Sequence, residues 1–480
     1  MPKPYHFKYM KKIAIFLFAV ALWTSCKKQD TLSEQKSIPT PTKKTFSAGD
    51  GGWDVLGYGY NVLGIYANSS ATTFQIINVA QLKADYPDKI ETDLSKTQTA
   101  DLNIGSDALS YLKTIAPNIS IGTDTSAKFK ATIKAAFKDS TAFSSQYVYS
   151  SYNLIIQQKR LKINSTIDLL KNYLNANFVN DVQNQSAAYV VSHYGTHVLT
   201  DAILGAKLDM IYRSATTSTD RKSASSSGLD IGIKNIFNIS TGLNTTSAQS
   251  SKNYSSTLHY ATHGGDPSKA LIGDISLNGT TPATINITSW QNSSTVQNAE
   301  LIDIGSTGLV EISQLIADPV KASALHNYII QYLAANQASL LPAPVYEFYA
   351  LNIDKHAFNL NPSLNASSPN YTAYGETFDA YTFQYASSVP VYQYYHPQSQ
   401  DHLLTTDPSA ALSWVQRGYN QDGILFYAYT TQVAGTIPVY AFYKQNSPDH
   451  YYSTNRNVVA GQSYWAYQGI CFYAYPKAIN

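Results

Sequence analysis

The chain has 480 residues, of which 44% are hydrophobic and only 14% are charged, so it is long enough for two or three folded domains with a polar, largely uncharged surface. Its 34 Lys and Arg residues against 32 Asp and Glu residues leave a formal net charge of +2. Without a basic field, the sequence predicts no nucleic-acid partner.

The N-terminus is typical of a secretion signal. Two lysines precede an apolar run, residues 13–23, which is too short to span a bilayer. The small residues before Cys26 resemble a bacterial lipobox, although Trp23 stands where an aliphatic residue is usual. We therefore expect residues 1–25 to be a lipoprotein signal peptide and Cys26 to carry the lipid. The alternative is a longer secretory signal with an ordinary Cys26.

The segment 26–45 has no apolar pattern and is expected to be a flexible tether. Its Lys-Lys-Gln-Asp sequence directly after Cys26 resembles surface-export signals of Bacteroidetes lipoproteins. We therefore expect an outer-membrane lipoprotein at the cell surface, either retained there or released. If Cys26 is lipidated, Cys471 has no partner for an intrachain disulfide.

Helices and strands then follow without regular alternation, which predicts an α+β fold. Residues 52–68 are rich in Gly and Tyr and predict a strand that bends at glycines. A helix is expected near 167–174, with apolar residues on one face. Another is expected to begin at Pro319, with Asp318 as its N-cap.

Two segments fit more than one secondary structure. In residues 128–138, Phe129, Ile133 and Phe137 alternate with lysines as in a strand, but they are also spaced i, i+4, i+8 as in a helix. The second segment, 215–256, contains 17 Ser or Thr among 42 residues. Within it one parity is apolar, broken at Asn235 and Ile236, and consists of Leu229, Ile231, Ile233, Phe237, Ile239 and Leu243.

Two interpretations of the 229–243 alternation are open. It is common in surface hairpins of soluble proteins, and it also suits a lipid-facing strand, which needs only about 9–11 residues. The near absence of charge on the apolar parity is what the second requires, because a cation facing lipid at mid-bilayer costs about 2–4 kcal/mol, but the pattern by itself is more typical of soluble sheets.

A short motif suggests a family. Tyr194-Gly195-Thr196-His197, followed by Leu204-Gly205, resembles the signature of the membrane attack complex/perforin (MACPF) family. The sequences "WDVLGYGYNV" near residue 53, "HGGD" at 263–266 and "LIADP" at 315–319 also lie where that family has similar ones. Val198 and Ala206 depart from the usual pattern. The resemblance covers residues 46–341.

The resemblance implies a bent four-stranded antiparallel sheet flanked by helical clusters. In this chain the clusters would lie near 103–146 and 215–256, the two segments that alternation also indicated. In the family these clusters open into amphipathic hairpins that join a barrel shared by a homo-oligomeric ring. Gly195, Thr196 and His197 would then hold the bend of the sheet, with Gly264 and Gly265 as a matching hinge, and none would be catalytic.

The C-terminal part, residues 342–480, contains a threefold repeat. Its units begin "APVYEFY" at 343, "VPVYQYY" at 389 and "IPVYAFY" at 437. Such repeats of short aromatic strands predict an all-β domain, either a β-prism or a β-trefoil. The candidate receptor-binding residues, for a lipid or glycan on the target membrane, are Asp401, His402, Trp414, Asp449, His450 and Trp465. The alternative is that the aromatic side chains form the core and that Asp and His make structural bonds.

The sequence contains no phosphate loop, zinc-protease helix or nucleophile elbow, so neither an enzyme nor a cofactor is expected. The histidine pairs 193/197 and 259/263 have a spacing that could suggest metal ligands, but on strands such pairs lie too far apart, and no metal is expected. The sequence thus predicts a pore-forming protein, as an antibacterial or host-directed toxin. The alternative is a non-lytic adhesion or glycan-binding lipoprotein.

Overall fold

A computed structural model of the chain describes residues 52–116, 128–279, 283–364, 368 and 370–477. The predicted signal peptide, Cys26 and the tether lie outside these ranges. Within them, no helix combines the length and the apolar character needed to cross a membrane.

Most helices begin behind a short polar side chain that accepts a backbone N–H, as the sequence predicts for Asp318. Asp220, for example, accepts from the N–H of Ser223, and Ser186 accepts from that of Tyr189. The α-helices are α1 (Val79–Asp85), α2 (Ala108–Thr114), α3 (Lys130–Ala136), α4 (Ile167–Leu170), α5 (Ala176–Asn184), α6 (Ala187–Tyr194), α7 (Arg221–Phe237), α8 (Thr288–Gln291), α9 (Pro319–Ala335) and α10 (Ala411–Gln416).

The strands divide between an N-terminal and a C-terminal group. The first group comprises β1 (Tyr58–Tyr60), β2 (Thr72–Gln75), β3 (Ile90–Asp93), β4 (Thr97–Gly105), β5 (Tyr147–Ile163), β6 (His197–Leu199), β7 (Asp201–Thr216), β8 (Asn253–His263), β9 (Ile272–Ser276), β10 (Glu300–Ile304) and β11 (Leu309–Glu311). The second comprises β12 (Ala343–Ala350), β13 (Lys355–Asn359), β14 (Thr372–Ala380), β15 (Val389–His396), β16 (Asp401–Thr405), β17 (Asn420–Ala428), β18 (Ile437–Lys444), β19 (Asp449–Ser453) and β20 (Trp465–Pro476).

The large N-terminal sheet is antiparallel and has four rows of strands, with β9 added at one edge. β5 and β7 form the two central rows. The outer row beside β5 consists of β4 followed by β3, and the row beside β7 consists of β8 followed by β10. A smaller antiparallel sheet has the order β11-β6-β1-β2. The mixed α and β content with antiparallel sheets confirms the α+β prediction.

Both faces of the large sheet are covered. Neighbouring residues of β5 point in opposite directions, so Val148 belongs to one apolar cluster and Tyr149 to the other. α7 packs on the Val148 face, whereas α2 and α3 pack on the Tyr149 face. Six of the nine hydrophobic residues that sequence analysis marked as candidates for membrane insertion are thus core residues in this conformation, namely Phe129, Ile133, Phe137, Leu229, Ile233 and Phe237. The other three, Ile231, Ile239 and Leu243, are partly buried.

The C-terminal strands form three units with one pairing plan, in which a central strand lies between a short and a long partner. The units are β13-β12-β14, β16-β15-β17 and β19-β18-β20. Phe378, Phe426 and Phe472 meet in their common core, with ring centroids 5.4–5.6 Å apart. β14 also pairs with β20, so the first and third units share a six-stranded sheet.

The strand register corrects one equivalence. The sequence places a Trp before the closing strand of the second and third units, which suggests that Trp414 and Trp465 correspond. In the structure, Tyr395 pairs with Asn420 and Tyr443 pairs with Ala466, so the counterpart of Trp465 is Tyr419. Trp414 instead lies on α10, within a connection (406–418) that is longer than its counterpart at 454–464.

Candidate functional site

Each of the two predicted helical clusters interrupts a pair of neighbouring antiparallel strands. The segment 217–252 leaves β7 at Thr216 and returns in β8 at Asn253, and these two residues pair. The segment 106–146 leaves β4 at Gly105 and returns at the start of β5, where Gly105 pairs with Tyr149. Residues 117–127 of this segment lie outside the described ranges. Both segments are therefore rooted at the ends of existing β-hairpins.

In the folded chain, the apolar residues of α7 are buried with the spacing of a helix and not with the alternation of a strand. Its buried apolar residues include Leu229, Ile233, Ile236 and Phe237, which follow helical spacing. Ile236, which breaks the alternating pattern, is fully buried because the helix directs it towards the sheet. Ile231 is only half-buried on the side of the helix, while Ile239 and Leu243 follow the helix and are partly buried.

Small and polar residues let α7 lie close to the sheet. A side chain at Gly228 would overlap the ring of Tyr212 on β7. The Ser150 hydroxyl on β5 donates to the backbone oxygen of Ser225 at 3.1 Å, and both serines are fully buried. Asp230 accepts from the hydroxyls of Thr241 and Thr245, which ties the end of the segment back onto the helix.

Arg221, at the start of α7, connects four parts of the molecule. Its guanidinium donates to the backbone oxygens of Ser106 (2.8 Å), Ser145 (2.7 Å) and Tyr147 (3.0 Å) and to Oγ1 of Thr382 (3.3 Å). These acceptors lie before α2, at the start of β5 and in the C-terminal domain. The side chain is buried, and burial lowers the pKa of Arg221 to about 10, against the opposing effect of Asp107.

Sequence reasoning did not identify Arg221. One signal was present, because Arg221 is among the few charged residues of a Ser- and Thr-rich segment. Its role depends on acceptors that are distant in sequence, and only the fold brings those together.

The first helical segment packs through the three residues that fitted both periods. Phe129 and Ile133 are fully buried and Phe137 nearly so, all at helical spacing around α3. Phe137 contacts Tyr149 edge-on at 5.8 Å, and the Arg213 guanidinium lies 4.3 Å from the Phe137 ring centroid. Like α7, this segment is held against the sheet by burial of its apolar face.

Three of the glycines predicted to act at the bend, Gly205, Gly264 and Gly265, lie at one level of the large sheet, whereas Gly195 does not. The register between β5 and β7 shifts there, close to Gly205, and β10 replaces β8 as the partner of β7. Gly264 has a φ of +64°, and a Cβ on it would overlap the backbone oxygen of Gly205. Gly265 has a φ of +78° beside Trp290, whose indole N–H donates to the oxygen of Gly264 at 3.0 Å. Trp290 was not anticipated from the sequence.

The signature Tyr194–His197 lies elsewhere, between α6 and the smaller sheet. Gly195 has a φ of +71°, and a Cβ would lie 2.6 Å from the backbone of Tyr60 on β1. The Thr196 hydroxyl is 3.3 Å from the oxygen of Tyr60 and 2.9 Å from Nδ1 of His197. His197 is buried, which lowers its pKa to about 3, with the charge of Lys128 acting in the same direction. The motif joins α6 to the smaller sheet, and β7 begins four residues after His197.

The histidines each have separate partners. His193 lies on helix α6 rather than on a strand and stacks on Tyr189. His259 contacts Asp274 at 2.8 Å, and His263 contacts Asp209 at 3.3 Å. Across the described ranges, no group of three or more His, Cys, Asp or Glu side chains is arranged to hold a metal ion.

In the C-terminal domain, Asp and His residues link one unit to the next. Asp401 of the second unit accepts from the backbone N–H and Nδ1 of His450 in the third, at 2.7 and 2.6 Å. Asp449 of the third accepts in the same way from His356 of the first, at 3.0 and 2.7 Å. Burial would raise the pKa of Asp401, but the bonds and charge of His450 and the Tyr419 hydroxyl outweigh it and lower that pKa.

The third such link is missing because Lys355 stands where an Asp would be. Lys355 instead donates to Oγ of Ser447 and the oxygen of Pro448, at 3.0 and 2.7 Å. His402 contacts Tyr371 and Gln393, both at 3.2 Å, and burial lowers its pKa to about 4. The carboxylates of Asp401 and Asp449 are fully buried, so the expectation that they contact a receptor directly is corrected to a role in joining units.

Comparison with known proteins gives the following similarities. The MAC/Perforin domain family matches residues 43–341, and a domain family of unknown function, DUF5648, matches residues 336–475. Among solved structures, the chain is 20% identical to a MAC/Perforin-domain protein of Bacteroides thetaiotaomicron VPI-5482, with a TM-score of 0.49, covering 77% of this chain and 72% of that one. It is 14% identical to GNIP1Aa of Chromobacterium piscinae, with a TM-score of 0.48, covering 89% and 82%. No curated protein matches.

Proposed function

The chain belongs to the MAC/perforin family, and we propose that it forms pores: it binds a target membrane, assembles with copies of itself and inserts two amphipathic β-hairpins per subunit. The hairpins are the segments 106–146 and 217–252. The protein acts on membranes as an antibacterial or host-directed toxin and performs no enzymatic reaction.

The observation that carries this proposal is the placement of the two segments between paired strands. If residues 217–252 became extended, they would continue the β7–β8 hairpin from Thr216 and Asn253, which already pair. Half of this segment is 18 residues, which extends about 60 Å at about 3.3 Å per residue. About 9–11 residues are enough for a strand to cross the hydrocarbon, so the hairpin is long enough.

The sequence of α7 supports both states. As a helix it buries Leu229, Ile233 and Ile236 against the sheet. As a strand it would place Leu229, Ile231 and Ile233 on one face and polar residues on the other. A lone hairpin cannot enter lipid, because its edge N–H and C=O groups would lack partners, whereas a closed ring of subunits pairs every edge.

The C-terminal domain is proposed to dock the protein on its target, through a lipid or glycan. Its three three-stranded units around the Phe378, Phe426 and Phe472 core favour a β-prism over a β-trefoil. Cys26 is proposed to carry the lipid of an outer-membrane lipoprotein. The Arg221 bonds to Ser106 and Thr382 would couple docking of this domain to release of both helical segments.

A reversible lock tests the proposal. Ser150→Cys and Ser225→Cys, with Cys26→Ser, place one thiol on β5 and one on α7 where the Ser150 side chain contacts the backbone of Ser225, and oxidation is used to join them. Cys471 is partly buried beside the core of the C-terminal domain, and this burial raises the pKa of its thiol to about 12, which keeps it protonated and poorly reactive. The oxidised variant should bind target membranes but release no dye from vesicles, and reduction should restore release. Each single-cysteine variant is the matched control.

The alternative, a non-lytic adhesion protein, predicts a different outcome from the same variant. Binding to target cells or vesicles would be the only activity, and it would be equal in the oxidised and reduced forms. If the reduced variant and the unaltered chain bind a target membrane but never permeabilise it, the pore proposal is wrong.

A further inference from the structure

The junction between the second and third C-terminal units contains a cleft of about 330 Å³. His450, whose ring bonds to the buried Asp401, lines this cleft together with Trp414, Tyr419 and Tyr443. The second unit contributes α10, which brings Trp414 to within 5.9 Å of the His450 ring and 5.4 Å of the Tyr419 ring, between centroids. The cleft therefore depends on α10, which lies in the connection 406–418 of the second unit and has no helical counterpart in the connection 454–464 of the third unit.

Arg417 supplies the charge of this cleft. It follows α10 directly, lines the cleft and is exposed, and its guanidinium lies 4.8 Å from the centroid of the Trp414 ring. The loop is fixed beneath it, because a His396 ring nitrogen contacts the oxygen of Arg417 at 3.1 Å. Gly418 has a φ of +92°, and a Cβ there would lie 2.8 Å from His396. These contacts fix the backbone at Arg417 and involve no hydrogen bond of its guanidinium.

No carboxylate of the described chain forms an ion pair with Arg417. The lining includes no Asp or Glu. The carboxylate of Asp401, which bonds the lining residue His450, is fully buried, and its oxygens accept from the backbone and ring of His450 and from Tyr419. An exposed guanidinium beside aromatic rings, without a protein anion, can bind an anion from solution.

The other two junctions differ in these features. At the junction of the third and first units, Lys444 pairs with Asp354 and lies 5.8 Å from the centroid of the Trp465 ring, so the cation there already has its anion. At the junction of the first and second units, a cleft of about 390 Å³ lies beside His402 and is lined by Asp422 but by no Lys or Arg. Of the three, only the Arg417 cleft combines aromatic walls with a cation that has no anionic partner among the described residues.

We propose that this cleft binds an acidic saccharide, a pyranose that carries a carboxylate, with Arg417 holding the carboxylate and the aromatic walls contacting the sugar ring. This rests on the proposed function in one respect, since the saccharide would be the receptor on the target surface. Apolar ring faces of sugars pack on Trp and Tyr, and the guanidinium can bind both oxygens of a carboxylate.

A matched pair of ligands tests the charge. Methyl glucuronide and methyl glucoside share a pyranose ring and differ in the carboxylate. With the full chain carrying Cys26→Ser, calorimetry or saturation-transfer NMR should show that the glucuronide binds at least tenfold more tightly. Arg417→Gln should abolish that preference, and Trp414→Ala should weaken both ligands. Arg456→Gln, which removes an exposed arginine 5.0 Å from the ring of Tyr467 and outside the cleft, is the control and should bind as the unaltered chain does.

Equal affinity for the two sugars, or a glucuronide preference that survives Arg417→Gln, would overturn the proposal. So would Arg417-dependent binding to phosphatidylglycerol vesicles together with no binding to glucuronide, because the anion would then be a lipid phosphate. Dye release separates this test from that of pore formation. Selective glucuronide binding without dye release would support the saccharide site and contradict pore formation. Dye release without saccharide binding would support pore formation and contradict the saccharide site.

Discussion

Replacing Arg221 should loosen α7 before any membrane is present. Arg221→Met keeps an apolar stem but removes the guanidinium from the backbone oxygens of Ser106 and Tyr147, and leaves that of Ser145 with only the Thr382 hydroxyl as donor. Each unsatisfied buried acceptor costs about 1–3 kcal/mol, and loss of the desolvation penalty of the buried guanidinium offsets part of this. We take a net cost of about 3 kcal/mol for the packed state of α7.

At about 1.4 kcal/mol per factor of ten, this cost raises the population of opened α7 about a hundredfold. Hydrogen exchange followed by mass spectrometry should therefore show about a hundredfold faster exchange of α7 amides, with little change in β5 or β7. Vesicle leakage should become faster and less dependent on the target receptor. Lys222→Met, at the neighbouring exposed position of the same helix, is the control. If Arg221→Met and Lys222→Met give the same exchange rates in α7, Arg221 does not hold the helix.

Three further outcomes are expected. An environment-sensitive dye attached at Ile239→Cys should show a blue-shifted emission on membrane insertion, whereas the same dye at Ser240→Cys should not. Equal emission shifts at the two positions would contradict the strand state. Because burial lowers the pKa of His197 to about 3, the unfolded chain takes up a proton below pH about 6.5 that the folded chain does not, so stability should fall by about 2 kcal/mol between pH 7 and 5. Urea unfolding of His197→Gln should lack that share of the pH dependence, and an unchanged dependence would refute the assignment. Gly264→Ala should cost about 2 kcal/mol or more in unfolding free energy because its Cβ meets β7, whereas Gly242→Ala, at positive φ but in open space, should cost less; equal costs would argue against contact at the bend.

The two ambiguous segments show how far the sequence could be interpreted. The alternation of 229–243 and the mixed spacing of 128–138 were visible, and so was the family signature at Tyr194–His197. The sequence did not show whether these segments form helices or strands, because both the helical and the alternating spacing place apolar residues on one face that can be buried. The sheet decides it, since β5, β7 and β8 offer an apolar face that α7 covers with Leu229, Ile233 and Ile236.

The C-terminal repeat gives a similar lesson. Three copies of a Pro-Val-Tyr sequence predicted three β units, and equal spacing of Asp-His predicted a shared role for Asp401 and Asp449. The sequence could not show that Asp401 bonds His450 of the third unit and that Asp449 bonds His356 of the first, because these bonds join residues 49 and 93 positions apart. The order of residues also suggested that Trp414 corresponds to Trp465. The strand register shows that it does not, because Trp414 lies on the inserted helix α10 and Tyr419 occupies the equivalent position.

By itself, the sequence determined the properties that depend on near neighbours: helix caps, apolar periodicity, repeats and the absence of a strong net charge. The tertiary structure decided which period α7 adopts, which acceptors surround Arg221, and which junction leaves Arg417 without an anion. These outcomes depend on desolvation and on contacts between distant segments. A residue's free energy in either state is set by surroundings that exist only after the chain has folded.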